Sequence, residues 1–323
     1  MNEAVSIVYA THRPDPAFEW FADGLANQLS GEDVELIVVD GLFCADRTAR
    51  FAEAVAGRFA FRHVPAKPTP FNGPHRLTGV EYFAASNARN TGIVHATKPY
   101  VVFVDDSSVP MPGWWSEVLE AARHQYLVGG AYQKHREMRV ERGVLVSSRS
   151  DPSGIDSRWD QGDDHRVVPL AGGHLFGASL GIPREVLLEV GGFDELCDSV
   201  AGEDYQLGIR LENAGFRLFY SRAMLTIGSE EHHARGPGLK RLDATLPEPL
   251  YLRRLGQFGV DQRATDGRLD ASHMVLDVLY GLKQRRSIGN PFDLRRLEPE
   301  QLPTLTDRFP ERHWFTGQAL SEL

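Results

Sequence analysis

The sequence predicts an α/β protein with a mostly parallel central sheet that is flanked by helices. Short apolar runs rich in β-branched residues, such as residues 5–10 and 34–40, alternate with segments of helical periodicity. Residues 100–104 are apolar throughout, which is typical of a strand buried on both faces. An alternation of strands and helices along the chain favours parallel strands covered by helices.

The first half of the chain supplies most of this alternation. Phe18, Phe21, Leu25 and Leu29 are spaced as on one face of a helix. The predicted strands are residues 5–10, 34–40, 59–64 and 100–104, and the predicted helices are residues 16–29, 46–58, 81–96 and 111–124. The proline-rich residues 65–78 interrupt the alternation, so we expect an ordered loop near the functional site.

The second half is less regular. We expect strands at residues 127–131, 216–220 and 224–227, a hairpin over 132–149 turning at 141–143, a loop over 150–164, a glycine-rich strand and turn at 172–183, and helices at 183–190 and 203–213. The predicted domain covers residues 1–246, with a nucleotide half of about 1–110 and an acceptor half of about 111–246. Residues 247–323 are expected to form a mainly helical extension, up to about residue 282, and then a tail that packs on the body or on a partner subunit.

Composition excludes several classes of protein. Cys44 and Cys197 give neither a disulfide framework nor the spacing of a zinc site, so a reducing, cytoplasmic location is expected. The sequence begins without the basic and apolar pattern of a signal peptide, and no run reaches the roughly 20 apolar residues of a membrane span. A net charge of −9 argues against broad binding of nucleic acid.

Two adjacent carboxylates, Asp105 and Asp106, follow the apolar run of residues 100–104. Ligands of open α/β sheets bind outside the carboxyl ends of the strands. Neighbouring carboxylates there suit a hard divalent cation that shares its ligands with a substrate phosphate. The alternative interpretation is that both residues only begin a loop and cap the next helix.

Several motifs in order resemble those of inverting glycosyltransferases of the GT-A fold, a Rossmann-like architecture, especially the family 2 type. They are Thr11-His12-Arg13 after the first strand, Asp40 at the end of the second, Ala88-Arg89-Asn90-Thr91-Gly92, Asp105-Asp106-Ser107, Gly191-Gly192-Phe193-Asp194-Glu195, and Gly202-Glu203-Asp204 with Leu207 and Arg210. The match covers about residues 4–234. Ser107 replaces the usual second carboxylate of the metal motif, and Gly41 follows Asp40 where the family has another Asp.

The resemblance implies a divalent cofactor, Mn²⁺ or Mg²⁺, held by Asp105 or Asp106 and completed by His232 or His233. The alternative for the two histidines is a solvated turn. The resemblance also implies that Asp204 is the base that deprotonates the acceptor, with Glu203 as second candidate. A helix start at this point is expected to favour the ionised carboxylate, and the alternative role of Asp204 is a helix cap.

Donor contacts are implied for Thr11, Arg13, Asp40, Arg89, Asn90 and Asp105. Arg89 has the alternative of a structural pair with Asp40. Trp114, Trp115 and Trp159 are candidates for stacking on sugars, although tryptophans at a helix start are more often core residues. Gly172 and Gly173 allow close approach of a ligand or form a bulge.

The predicted function is therefore an inverting, metal-dependent glycosyltransferase of the hexosyltransferase type with a nucleotide-sugar donor, most simply a UDP-sugar. The alternatives are a degenerate protein that binds sugar nucleotide or glycan without turnover, and a sugar nucleotidyltransferase. The acceptor stays open among a saccharide, another small molecule, a lipid-linked sugar, a protein side chain and a modified DNA base. A homo-oligomer is compatible with the sequence, and basic residues of the tail form a candidate surface for an anionic acceptor or a partner subunit.

Overall fold

A computed structural model describes residues 3–69, 83–162, 166–199, 202–234, 290 and 292–308. The strands are β1 Ala4–Thr11, β2 Asp33–Asp40, β3 Ala60–Pro65, β4 Tyr100–Asp105, β5 Ser108–Pro110, β6 Leu127–Glu141, β7 Val144–Ile155, β8 Val168–Leu170, β9 Ser179–Pro183 and β10 Leu218–Ser229. The helices are α1 Phe18–Ala26, α2 Ala45–Val55, α3 Ala85–His95, α4 Trp114–His124, α5 Arg184–Glu189, α6 Glu203–Asn213 and α7 Glu230–Ala234. Short 3₁₀ segments lie at Trp159–Gln161, Gly172–His174, Glu195–Ser199, Leu294–Arg296 and Pro299–Arg308.

The strands form one mixed sheet in the order β3-β2-β1-β4-β9-β6-β10-β5, with β7 paired to β6 and β8 paired to β10. The strands β3, β2, β1 and β4 are parallel, which confirms the α/β class. β9 runs antiparallel between β4 and β6. In register, Thr11 pairs with Asp40 and Ala10 with Asp105, so the carboxyl ends of three parallel strands meet at one edge.

Helices cover both faces of the sheet because successive strand residues point to opposite sides. Val8 belongs to the apolar cluster that includes residues of α3 and α6, while Tyr9 belongs to the cluster formed with α1, α2 and α4. Trp114 and Trp115 are 0% and 2% exposed within the second cluster, so the core interpretation of these two residues is correct.

The predicted hairpin is present and longer than expected. β6 and β7 pair from Glu141 and Val144 back to Gln133 and Ile155. Residues 150–155 therefore belong to a strand, and the prediction of a loop there is wrong because cross-strand pairing outweighs their polar composition. The two short strands expected at 216–220 and 224–227 are one strand, β10, whose register shifts between Ser221 and Thr226.

Helix α3 begins at Ala85, later than the expected residue 81, and its start is fixed by a distant carboxylate. Asp198 accepts hydrogen bonds from the amides of Ser86 (2.6 Å) and Asn87 (3.0 Å). These amides belong to the first turn of the helix, where they have no intrahelical acceptors, and Asp198 satisfies them. The negative charge of Asp198 also interacts favourably with the positive end of the helix dipole. This contact joins α3 to the segment Glu195–Ser199.

Part of the C-terminal tail packs on the body. Leu294, Leu302 and Leu305 are buried in the cluster that contains Val8. Asn290 accepts from the amide of Glu195 (2.9 Å) and donates to the carbonyl of Gly191 (2.8 Å). The helical extension expected up to residue 282 lies outside the described residues. Among those that are described, no helix is long and apolar enough to cross a membrane.

Candidate active site

Asp105 ends β4 at the edge where β1 and β2 also end. Its side chain is 54% exposed, and its Oδ1 lies 3.2 Å from Nη2 of Arg89 on α3. Its backbone amide donates to the carbonyl of Ala178 (3.3 Å), just before β9. The carboxylate therefore projects from a fixed backbone into an open part of the edge.

Arg89 joins this strand end to the start of α6. Its Nη1 pairs with Glu203 while its Nη2 pairs with Asp105, and only 8% of its side chain is exposed. The guanidinium carbon also lies 5.4 Å from the centre of the Phe193 ring. The neighbouring carboxylates of Glu203, Asp105 and Asp204 raise the pKa of Arg89 despite its burial, so it stays charged. The pairing of Arg89 with Asp40 that the sequence left open does not occur.

Asp204, the predicted base, lies beside Glu203 at the start of α6. Its Oδ2 accepts from the amide of Gly177 (2.8 Å), and Oδ1 accepts from the amide of Tyr205 (2.7 Å). Burial, followed by the charge of Glu203, raises the pKa of Asp204 to about 6, although Arg89 and the two amides oppose the rise. The expectation that the helix start would favour the ionised form is therefore outweighed. A carboxylate with this pKa is ionised at neutral pH and is a stronger base than a solvated one. We call Arg89, Asp105, Glu203 and Asp204 the Arg89 cluster.

Asp106 has a different environment from its neighbour Asp105. Its Oδ2 accepts from the hydroxyl of Thr11 (2.7 Å), and its Oδ1 from Nε of Arg13 (2.9 Å). Burial raises the pKa of Asp106, while Arg13 and Thr11 oppose that rise. Both oxygens thus hold the loop after β1. The predicted roles of Asp106 at a metal and of Thr11 and Arg13 at the donor stay predictions.

Ser107, which replaces the usual second carboxylate of the motif, points into the protein. Its backbone is left-handed, with φ of 56°. Its hydroxyl donates to the carbonyl of Pro16 (3.0 Å), and its amide approaches the same carbonyl (2.8 Å). Ser107 is only 2% exposed. Its position therefore anchors the β1–α1 loop and supplies no ligand to the cleft.

The predicted histidine ligands lie on α7. The Nδ1 of His232 is 3.0 Å from the hydroxyl of Ser229, and its ring meets Trp20 edge-on at 5.2 Å. Its carbonyl accepts from Nη1 of Arg13 (2.7 Å), which links α7 to Asp106. The side chain of His233 lies outside the described residues. Within the described chain, no group of three or more His, Cys, Asp or Glu side chains is arranged to hold a metal.

A divalent ion in such a site does not require a cage made only of protein ligands. Mg²⁺ in particular is commonly held by one or two carboxylates together with water and substrate phosphate oxygens. The exposed carboxylate of Asp105 fits that role, since one ion pair through Oδ1 leaves it accessible to the cleft. The residues present therefore fit a cation held by Asp105 and a phosphate ligand, without Asp106.

Asp40 was expected at the donor, but its side chain is completely buried. It accepts from Nε of Arg47 (2.6 Å), Nε2 of His63 (3.1 Å) and the amide of Leu42 (2.8 Å). Arg47 in turn donates to the carbonyls of Pro14 (2.8 Å) and Arg13 (2.9 Å). Asp40, Arg47 and His63, which we call the Asp40 cluster, thus tie two loops together. The predicted contact of this carboxylate with a nucleotide base stays a prediction.

Asn90 is also structural. Its amide donates to the carbonyl of Phe193 (2.9 Å) and to Glu195 (2.8 Å), and its oxygen accepts from the amide of Phe193 (2.8 Å). Glu195 pairs with the buried Lys67 (2.6 Å). Asn90 therefore fixes the Gly191–Glu195 motif against α3, and its predicted contact with the donor stays a prediction. Asp194, in the same motif, is also buried.

The glycines of the 3₁₀ segment Gly172–His174 serve packing. A Cβ on Gly172 would lie 2.4 Å from the carbonyl oxygen of Gly208 in α6, and one on Gly173 would lie 3.0 Å from the ring of Tyr205. These glycines bring the segment against α6, so neither the ligand approach nor the bulge is needed to explain them. Trp159, a candidate for stacking on sugars, instead lies under Arg222 at 5.1 Å.

Sequence reasoning missed the wall beside Asp204. Phe176 precedes the residue whose amide holds Asp204, and Tyr132 packs on Phe176. Behind them lies Arg158, which is 0% exposed. The glycine-rich stretch around Gly177 indicated a close approach of the backbone to another group. Nothing in the local sequence indicated that Arg158 is buried, because it lies in a polar stretch that predicted a loop.

Comparison with known proteins identifies the family. The model of the family described as Glycosyl transferase family 2 matches residues 6–174, more than half of the chain. A search against curated proteins finds no match.

Solved structures of similar fold include TarS of S. aureus. Its 1–349 fragment matches at 13% identity with a TM-score of 0.50, covering 94% of this chain and 78% of that one. The same fragment in complex with UDP matches at 14% identity with a TM-score of 0.51, covering 93% and 77%. This chain spans 46% of the longer TarS structure. These likenesses confirm the fold.

Proposed function

The chain belongs to glycosyl transferase family 2, and on that premise we propose that it moves a sugar from a UDP-sugar to an acceptor hydroxyl with inversion. The Arg89 cluster carries the proposal. Arg89 brings the strand-end carboxylate Asp105 together with the α6 carboxylates Glu203 and Asp204. UDP is chosen as the nucleotide because the TarS fragment of similar fold is described in complex with UDP.

Asp204 is the base in this proposal. It accepts the proton of the acceptor hydroxyl as that oxygen attacks the anomeric carbon of the donor. The bond from the anomeric carbon to the diphosphate oxygen breaks, and its electron pair leaves with UDP. The amides of Gly177 and Tyr205 hold the carboxylate oriented, and its pKa of about 6 lets it release the proton to solvent near neutral pH.

Asp105 faces the leaving group. A Mn²⁺ or Mg²⁺ ion held by Asp105 and the diphosphate would neutralise the charge that develops on departure. Arg89 contributes a fixed positive charge beside Asp105, and its pairing with Glu203 keeps it directed at the cleft. Glu203, paired in this way, has the role of orienting Arg89 in this proposal.

The test is nucleoside diphosphate release from UDP-, GDP- and TDP-sugars, with EDTA and then with added Mn²⁺ or Mg²⁺. We expect slow hydrolysis of a UDP-sugar that EDTA suppresses and either ion restores. Asp33→Asn is a matched control, because Asp33 pairs with Lys98 on the surface at the opposite end of the sheet. Undiminished release in EDTA would remove the metal from the proposal.

The same assay addresses the non-catalytic alternative, which the inward-facing Ser107 favours. Calorimetry with UDP would then show binding, while no diphosphate is released from any donor. Absence of both binding and release across the three donors would contradict the proposed function.

A further inference from the structure

A three-residue strip, Phe176-Gly177-Ala178, crosses the Arg89 cluster. The carbonyl of Ala178 accepts from the amide of Asp105 (3.3 Å), and the amide of Gly177 donates to Asp204 (2.8 Å). Gly177 lies so close to Arg89 that a Cβ there would be 2.5 Å from Nη2. Phe176, which precedes Gly177 in the chain, is half-buried and lies one residue from the amide that holds the base.

Tyr132 extends the wall that Phe176 begins. The two rings meet edge-to-face, with centroids 5.8 Å apart and an interplanar angle of 79°. Tyr132 is also half-buried. Burial, then the charge of Asp156, and to a smaller extent Asp105 and Asp204 raise the pKa of its phenol. The charges of Asp105 and Asp204 thus reach the phenol, so Tyr132 lies near the Arg89 cluster.

Arg158 makes this wall rigid from behind. Its guanidinium lies between two rings, 4.4 Å from the centre of Phe176 and 4.6 Å from that of Tyr220. Asp156 accepts from Nε (2.9 Å) and Nη2 (2.7 Å) of Arg158, and also from the amide of Tyr132 (3.3 Å). A buried arginine is stable only when paired and hydrogen-bonded in this way. One buried ion pair thus holds both aromatic residues.

A rigid aromatic wall next to a base selects the shape of the acceptor. A pyranose ring presents a face of C–H groups that packs on aromatic rings, while its hydroxyls point outward along the rim. One such hydroxyl can reach Asp204 while the ring lies against Phe176. A DNA base can also stack on aromatic rings. The phosphates of the DNA backbone, however, would be repelled by Asp105, Glu203 and Asp204 in a chain of net charge −9.

We propose that Phe176 and Tyr132 form the wall of the acceptor subsite and that the acceptor is a saccharide whose pyranose ring packs on them. This inference rests on the proposed function, since it names the acceptor class of the same site. It assigns Asp156 and Arg158 as positioning residues, because they act through the two aromatic residues.

The experiment measures transfer from the UDP-sugar that the enzyme hydrolyses fastest. Three acceptor sets are compared: methyl glycosides and disaccharides of hexoses, Ser/Thr peptides, and hydroxymethylated DNA. We expect transfer to at least one saccharide and to neither of the other sets. Transfer to peptide or DNA alone would overturn the inference, as would transfer to none of them while donor hydrolysis is intact. Loss of donor hydrolysis itself would instead contradict the proposed function.

Variants test the wall directly through the ratio of saccharide transfer to donor hydrolysis on one preparation. Phe176→Leu and Tyr132→Leu should each lower this ratio about tenfold or more, through a higher KM for the saccharide. Phe219→Leu is the matched control, since Phe219 packs on Tyr126 away from the cleft, and it should leave the ratio unchanged. An unchanged ratio in both wall variants would show that the acceptor binds elsewhere.

Discussion

The Arg89 cluster and the Asp40 cluster both lie at the carboxyl edge of the sheet, yet they have opposite properties. In the first, three carboxylates share one guanidinium, and the side chain of Asp105 is 54% exposed. In the second, the single carboxylate of Asp40 meets both Arg47 and His63, and its side chain is 0% exposed. Both structural carboxylates and those we propose as reactive therefore lie at strand ends. The proposed reactive cluster differs in its excess of negative charge and in the exposure of Asp105.

The largest difference between the clusters should appear in the chemical step. Asp204→Asn removes the base but retains a carbonyl oxygen, so transfer should fall about 10²- to 10⁴-fold. UDP affinity should change little, because the cation that would bind the diphosphate is assigned to Asp105, on another element. Transfer rate and the Kd for UDP are measured on the same preparation. Near wild-type transfer would point to Glu203 as base, and a collapse of UDP affinity would place Asp204 at the donor.

The second test replaces the arginine of each cluster. Arg89→Met leaves Glu203 and Asp204 partly buried without their counter-charge, which should cost about 3–5 kcal/mol of unfolding free energy. Arg47→Met leaves Asp40 with His63 and the amide of Leu42, so a loss of about 1–3 kcal/mol is expected. Urea unfolding at pH 7.5 gives both values. Equal losses would contradict the contrast in charge balance.

The third test uses pH. The pKa of Asp204 is raised from 3.8 to about 6 in the folded protein, so folding favours its protonated form. This contribution to stability is present below pH 4 and is lost as pH rises through about 6. The wild type should lose about 1–3 kcal/mol relative to Asp204→Asn between pH 4 and 7, a range discounted for partial exposure of the side chain.

Urea unfolding of the wild type, Asp204→Asn and Asp40→Asn is measured between pH 4 and 7. The pKa of Asp40 is lowered by His63, Arg47 and the amide of Leu42 despite burial, so its contribution is present above about pH 4 and is lost only as the pH falls below that value. The curves of Asp40→Asn and the wild type should therefore run parallel between pH 4 and 7. Parallel curves for the wild type and Asp204→Asn would show that Asp204 is not perturbed. Donor hydrolysis should also rise through about pH 6, where the base becomes ionised.

The contrast between the clusters also explains what local sequence could predict. The strand ending at Asp105 and the helix beginning at Glu203 follow from apolar runs and periodicity, and the order of motifs indicated the family. The partners of each carboxylate could not be predicted from the sequence. Arg47 and Arg89 both lie on helices, and the local sequence does not indicate which strand end each arginine contacts. The wall of Phe176 and Tyr132 depends on Arg158, whose burial is decided by Asp156 and by two rings from other segments.

The smallest effect on chemistry is expected at Asp40. Asp40→Asn keeps an acceptor for the amide of Leu42 but turns an amide group toward the donors of Arg47 and His63. Arg47 still donates to the carbonyls of Pro14 and Arg13, so its charge remains partly satisfied, and the loss of stability should be about 1–2 kcal/mol. UDP affinity should stay within about twofold of the wild type, which is less than 0.5 kcal/mol in binding. A tenfold weaker UDP complex with an unchanged free energy of unfolding would instead place Asp40 in contact with the donor. It would also show that the Asp40 cluster opens when the nucleotide binds.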